Sequence, residues 1–354
     1  MLASTDRALP VLDHLIALSD DVGIAQHATY CVPNRAEGYC VDDVARAFMV
    51  ALAAAREPKY AEVALPLAGT YLAFLHHAQR PDGRFRNFMS YERTWLEEIG
   101  SDDSNGRAIW ALGYGVSHAP KARWRTLCAR MLDRALGGVA SFRFPRSCAF
   151  AALGIARAEG GPHPYLQEAS IARAAAHISS ELRGAFERNC ADGWEWFEPE
   201  MTYDNARLPE ALIRLGSAFG DRELVRIGLR SAAFLASVVT LDGIFVPIGN
   251  DGWYPRGGRR ALYSQQPLEA AGMIDLALVA AEADRNPRWE RLARTAFDWF
   301  NGANTLGIPL VRDGGCCDGL EEFGPNDNMG AESTLAYLSS AFALAGGAWR
   351  AQRP

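Results

Sequence analysis

The chain has 354 residues, with 36 Lys and Arg against 42 Asp and Glu, for a formal net charge of −6. Its basic residues are scattered singly, which argues against a nucleic-acid partner, and no apolar run reaches the roughly 18 residues of a membrane span. Residues 1–7 lack a basic segment leading into an apolar run, so no leader is expected and the expected location is the cytoplasm. The seven cysteines, at 31, 40, 128, 148, 190, 316 and 317, are odd in number and without CxxC spacing, against both a disulfide framework and a zinc ribbon. The vicinal pair Cys316 and Cys317 reads as two reduced thiols in a loop.

Apolar residues recur at helical spacing along the whole chain, and strand-like alternation is confined to short patches such as 243–247, which predicts an all-α fold. Helices are expected over 8–19, 39–55, 60–78, 103–116, 122–137, 147–158, 165–183, 203–217, 222–238, 265–282, 287–301 and 330–346. They fall into six pairs. The connection inside each pair covers about 9 to 28 residues, whereas the turn to the next pair covers about four to six, and short turns imply antiparallel neighbours. The second helix of each pair is the more apolar, as in Ala149-Phe-Ala-Ala-Leu-Gly-Ile-Ala156, and so belongs inside; first helices carry charged faces such as Arg222, Glu223, Arg226 and Arg230.

Six inner–outer hairpins repeating at about 58 residues specify an (α/α)6 barrel, one domain over 1–354. In such a ring the inner helices run in one direction, so their N-termini and the long loops meet on one face, which becomes the expected site. The inner-helix starts share a faint repeat: Asp42-Asp43-Val-Ala-Arg46, Asp103-Ser104-Asn-Gly-Arg107 and Tyr203-Asp204-Asn-Ala-Arg207. Two later ones open instead with Gln265-Gln266-Pro267-Leu268-Glu269 and Asn328-Met-Gly-Ala-Glu332, and Pro267 suits a first helical turn.

These motifs, with Gln26-His-Ala-Thr, Gly38-Tyr-Cys-Val-Asp-Asp, Gly83-Arg-Phe-Arg-Asn-Phe, Trp194-Glu-Trp-Phe-Glu and Asp251-Gly-Trp-Tyr, resemble an uncharacterised bacterial domain of the six-hairpin glycosidase-like superfamily. The resemblance runs from about residue 8 to 346. That domain often accompanies, or carries the label of, a glycosyltransferase, but twelve helices leave no room here for a nucleotide-sugar-binding fold. The superfamily implies carbohydrate processing by two carboxylates.

Glycoside cleavage needs one acid to protonate the leaving oxygen and a second group to activate water. Any one carboxylate at an inner-helix start also has an ordinary role as a cap or dipole partner. In the doublets Asp42-Asp43 and Asp102-Asp103, however, capping uses only one member, and adjacent carboxylates raise one another's pKa toward a general acid's range. The expected catalytic set is Asp43, Asp103, Glu198 and Glu332, with Glu198 or Glu332 as acid and Asp43 or Asp103 as base. Asp42, Asp102, Tyr203, Asp204, Gln265, Gln266, Glu269 and His27 are expected to bind substrate, and Trp194, Trp196 and Trp253 to stack on sugar rings. Arg46, Arg107 and Arg207 lie at ion-pair spacing behind acids, so they either brace the inner helices or bind an anion, phosphate or uronate.

No metal or other cofactor is expected, since neither HxxxH nor a Cys/His cluster occurs. Residues 313–327 offer oxygens of the kind calcium takes, without EF-hand spacing. Phosphate loops and nucleophile elbows are absent as well. The reading is an inverting glycoside hydrolase on short oligosaccharides. A phosphorylase, a sugar epimerase or isomerase, and a non-catalytic glycan-binding partner of a glycosyltransferase stay as alternatives. An epimerase on this architecture would use two opposed histidines, and only His27 lies in a site-face loop.

Overall fold

The computed structural model describes residues 9–159 and 163–345. Among the described residues are twelve α-helices: α1 (Asp13–Leu18), α2 (Val41–Ala54), α3 (Ala61–Ala78), α4 (Asp102–His118), α5 (Ala122–Leu136), α6 (Pro145–Glu159), α7 (Glu168–Asn189), α8 (Arg207–Phe219), α9 (Arg222–Val239), α10 (Pro267–Asp284), α11 (Arg288–Asp298) and α12 (Ala331–Ala345). The even-numbered helices pack side by side in chain order, and α12 returns to α2, closing an inner ring. Each odd-numbered helix from α3 to α11 packs on the inner helix before it across a short turn, and α1 covers α12. The molecule is an (α/α)6 toroid.

Burial follows from that placement. In α10 every residue from Pro267 to Ala280 is buried, as befits a helix walled on all sides, whereas α11 buries only Trp289, Ala293, Ala296 and Phe297, one face at helical spacing. Helices α4 and α6 approach closely where glycines replace side chains: a Cβ on Gly113 would lie 2.0 Å from the Gly154 carbonyl oxygen. Caps end the helices where the residues dictate. Asp221 accepts from the N–H groups of Glu223 and Leu224 to start α9, and Gly220 ends α8 in the left-handed region.

Three boundaries depart from expectation. Helix α8 starts at Arg207 instead of 203, because Asp204 adopts a φ of 46°, a left-handed conformation that no helix continues through. Helix α7 runs on to Asn189 instead of 183, since Ala185 and Phe186 prolong the buried stripe of Ile178 and Leu182 past Gly184. The first helix, expected over 8–19, is helical only over Asp13–Leu18, with residues 9–12 outside it, while residues 8 and 346, the expected ends of the first and last helices, lie outside the described residues.

The long loops carry six two-stranded antiparallel ribbons, among them His27–Thr29 with Val32–Asn34 and Leu320–Glu321 with Gly324–Pro325. The alternating patch at 243–247 forms one strand of the ribbon Thr240–Leu241 with Ile244–Phe245. Among the described residues no helix is long and apolar enough to cross a membrane.

Candidate active site

The N-termini of α2, α4, α10 and α12 converge on a cleft of about 500 Å³ at one mouth of the barrel, a size in the range of small-molecule sites. Helix starts supply Asp42, Asp43, Arg46, Asp103, Arg107, Gln266, Leu268 and Glu332, and loops supply Gln26, His27, Cys40, Phe88, Tyr203, Asn250, Trp253 and Asp318. Beneath the floor, Arg46, Arg107, Arg207, Asp204, Asp275 and Trp110 help line a second cavity of about 40 Å³ inside the ring. It has room for water.

Arg46 organises one side of the floor. Its Nη1 donates to Asp43 Oδ1 at 2.9 Å and its Nη2 to Glu332 Oε2 at 2.6 Å, so one guanidinium joins α2 to α12. Asp43 is 6% exposed, and its Oδ2 accepts from the Cys40 thiol at 3.1 Å. Burial pushes the Asp43 carboxyl up to about 6, against the pull of Arg46 and with a further push from Glu332. Glu332 differs in setting, its side chain 37% exposed to the cleft. The two carboxylates thus share a partner but not an environment.

Arg107 organises the other side, with Nε 3.2 Å from Asp42 Oδ1 and Nη2 3.1 Å from Asp204 Oδ2. Asn87 Nδ2 donates to the other Asp42 oxygen at 2.9 Å, and burial raises the Asp42 carboxyl against the pull of Arg107 and Arg46. Asp103 takes one hydroxyl on each oxygen, from Ser147 and from Tyr203. Burial and then the bond to Asp103 push the Tyr203 phenol upward, so it stays a donor at neutral pH.

Several expected site residues lie elsewhere. Trp196 is fully buried and Trp194 nearly so, packed edge-on against Phe234 and Tyr254, so neither offers a face to a sugar. Glu198 is outside the cleft, with both oxygens on Arg146 Nη1 at 2.9 and 2.6 Å. Gln265 is buried too; its carbonyl accepts from Trp299 Nε1 at 2.8 Å and its amide donates to Leu262 O at 2.6 Å. Asp102 is in the first turn of α4 but does not line the cleft.

Asp204 and Arg207 form a buried second layer. Arg207 Nε meets Asp204 Oδ1 at 3.2 Å, and its Nη1 donates to Glu210 at 2.6 Å and Asp275 at 2.8 Å, which makes it a brace instead of an anion receptor. Glu269 is turned toward the chain as well, accepting from the backbone N–H groups of Asp204 and Asn205. Burial, then the Asp204 charge, push its carboxyl up to about 8. The expected residues brought together at the cleft are therefore Asp42, Asp43, Arg46, Asp103, Arg107, Tyr203, Trp253, Gln266, His27 and Glu332.

Asp318 was not among the expected site residues. It accepts from Asn328 Nδ2 at 2.8 Å and from the Ser333 hydroxyl, and burial raises its carboxyl. Its signal was a carboxylate directly following Cys316 and Cys317, in a segment read as a loop with two reduced thiols and oxygens of the kind calcium takes. Among the described residues no group of His, Cys, Asp and Glu is arranged to hold a metal ion.

No protein-family model matches this sequence, and no curated protein resembles it in sequence. Solved structures do resemble it in three dimensions. A sugar epimerase from a ruminal bacterium superposes with a TM-score of 0.72 at 12% identity, covering 98% of this chain and 97% of its own. Cellobiose 2-epimerase from Bacillus thermoamylovorans gives 0.71 at 12% identity over 95% of each chain. A GH76 α-mannanase from Bacteroides thetaiotaomicron gives 0.63 at 11% identity over 94% of this chain and 93% of its own. At these identities the likeness is one of fold, the double ring of the (α/α)6 toroid.

Proposed function

We propose that the protein is a carbohydrate-active enzyme, the whole chain being one catalytic domain, and that it hydrolyses short oligosaccharides with inversion. The carrying observation is the Asp43–Arg46–Glu332 bridge, which fixes two carboxylates of unlike environment on the floor of a cleft large enough for a sugar. The likeness of fold to proteins named as sugar epimerases and a mannanase supports the substrate class. Asp43, expected from the sequence as the base, has its carboxyl raised to about 6 and takes the opposite role here, the general acid that gives its proton to the leaving glycosidic oxygen. Glu332, open to the cleft, is the base that takes a proton from the attacking water. The C–O bond to the leaving group breaks as the bond to water forms on the opposite face. Asp42, Asp103, Tyr203, Gln266 and His27 hold hydroxyls, and Trp253 offers an apolar face. Arg46 and Arg107 each already meet two carboxylates, which favours water over phosphate as the acceptor. Seven unpaired cysteines support a reducing compartment, the cytoplasm, where a glycosyltransferase would be a functional partner.

The test is proton NMR of the anomeric signals with gluco-, manno- and galacto-oligosaccharides. The inverted anomer should appear without phosphate, and Asp43→Asn and Glu332→Gln should each lower turnover by about 10²–10⁴-fold, the usual weight of general acid–base catalysis. Turnover should also fall as pH rises through about 6, where Asp43 loses its proton. Full turnover in both variants would refute the assignment. A second reading, epimerisation of a free sugar, draws on the fold neighbours named as epimerases. In the same spectra it would show interconversion with no glycosidic bond lost.

A further inference from the structure

The cleft carries more negative charge than its ion pairs neutralise. Five carboxylates line it, Asp42, Asp43, Asp103, Asp318 and Glu332, against the guanidiniums of Arg46 and Arg107. Both guanidiniums are committed. Arg46 spans Asp43 and Glu332, and Arg107 spans Asp42 and Asp204, so neither is free to receive an anion from solution.

The remaining two carboxylates have only uncharged donors. Asp103 accepts from the hydroxyls of Ser147 and Tyr203, and Asp318 from the Asn328 amide and the Ser333 hydroxyl. Such donors hold a carboxylate in place without cancelling its charge, and in a partly desolvated cleft that field is weakly screened. An anionic substituent entering here would meet repulsion with no cation to answer it. An ammonium group would meet two carboxylates already oriented.

We propose that the cleft selects its substrate by charge: it takes saccharides that are neutral or carry an amine, and it turns away those bearing phosphate, sulfate or carboxylate. The proposal rests on the cleft being a sugar site. It deepens that reading by assigning the selection to Asp103 and Asp318, neither of which bonds to Arg46 as the Asp43–Glu332 pair does.

The experiment is ligand-observed NMR titration of the full chain at low salt and pH 7.5. In each of the gluco, manno and galacto configurations, the probes are the neutral sugar, its 2-amino form, its 6-phosphate and its uronate. In at least one configuration the amine should bind as tightly as the neutral sugar or more tightly, and the phosphate and uronate at least tenfold more weakly. Asp103→Asn and Asp318→Asn should each narrow that gap several-fold, and Asp318→Asn, outside the residues that hold hydroxyls, should leave the affinity for the neutral sugar unchanged. A phosphate or uronate that binds as well as its neutral counterpart would overturn the proposal and leave the sugar site standing, as would a gap untouched by both variants. Failure of every probe in every configuration would overturn the sugar site and the selection with it.

Discussion

Replacing Glu269 by glutamine should change how stability depends on pH. The carboxyl is 7% exposed, wedged between α10 and the start of α8, and it titrates at about 8 instead of its ordinary 4.5. Burial is the main cause, the Asp204 charge adds to it, and hydrogen bonds from the Asp204 and Asn205 N–H groups pull the other way. Because the folded protein holds this proton more tightly than the unfolded chain, the stabilisation is complete below pH 4.5 and is lost as pH rises through 8. At about 1.36 kcal/mol per pH unit, the loss amounts to about 1 kcal/mol by pH 5 and about 5 kcal/mol by pH 9. Glutamine keeps the shape of the protonated acid and cannot ionise. Urea denaturation of both proteins at pH 5 and pH 9 should therefore show the variant gaining about 4 kcal/mol on the parent between the two pH values. Parallel pH dependence, with the difference constant to within about 1 kcal/mol, would refute the buried neutral carboxyl.

Two further outcomes test the ring. Arg207→Met leaves Glu210 with Arg214 and Asp204 with Arg107 but removes the guanidinium that donates to the buried Asp275 at 2.8 Å, so the cost should be about 3–5 kcal/mol by urea denaturation. Adding Asp275→Asn should recover most of that; a single variant within about 1 kcal/mol of the parent would show the brace to be dispensable. Gly113→Ala should cost at least the roughly 1–3 kcal/mol of ordinary overpacking, because the new methyl would stand 2.0 Å from the backbone carbonyl oxygen of Gly154. Gly137→Ala, where a Cβ meets nothing nearer than 3.5 Å, is the control, and equal midpoints for the two would contradict the α4–α6 contact.

The ring was legible because its signals are local. A helix walled by neighbours on every side must be apolar nearly all round, and 149–156 and 267–280 show this in their residues; short turns after long loops then leave little choice of neighbour. Loop aromatics misled for the opposite reason. Trp194 sits in a polar-looking segment, but the rings that bury it, Phe234 and Tyr254, come 40 and 60 residues later, on α9 and the following loop. Asp318 was hidden likewise, since its partner Ser333 belongs to a helix that begins only after another ribbon.

The repeated pattern of an acid or hydroxyl, two residues and an arginine, with Ser104 at the first position of the middle copy, shows where local reading stops. Two copies form the pair their spacing implies: Asp43 with Arg46, because residues three apart on a helical turn face the same way, and Asp204 with Arg207, where the left-handed Asp204 just before α8 brings its carboxylate to the guanidinium. The middle copy does not. Arg107 passes over Asp103 and reaches Asp42 on α2 and Asp204 before α8, held over the face of Phe150 with its guanidinium carbon 3.9 Å from the ring centroid. That crossing leaves Asp103 to Ser147 and Tyr203 and turns it toward the cleft. One repeat unit therefore yields a buried brace at α8, a bridged acid at α2 and an unneutralised acid at α4. Ring closure decides which, by settling the partners each guanidinium can reach, and a carboxylate stays available to a ligand only where a neighbouring arginine has been drawn elsewhere.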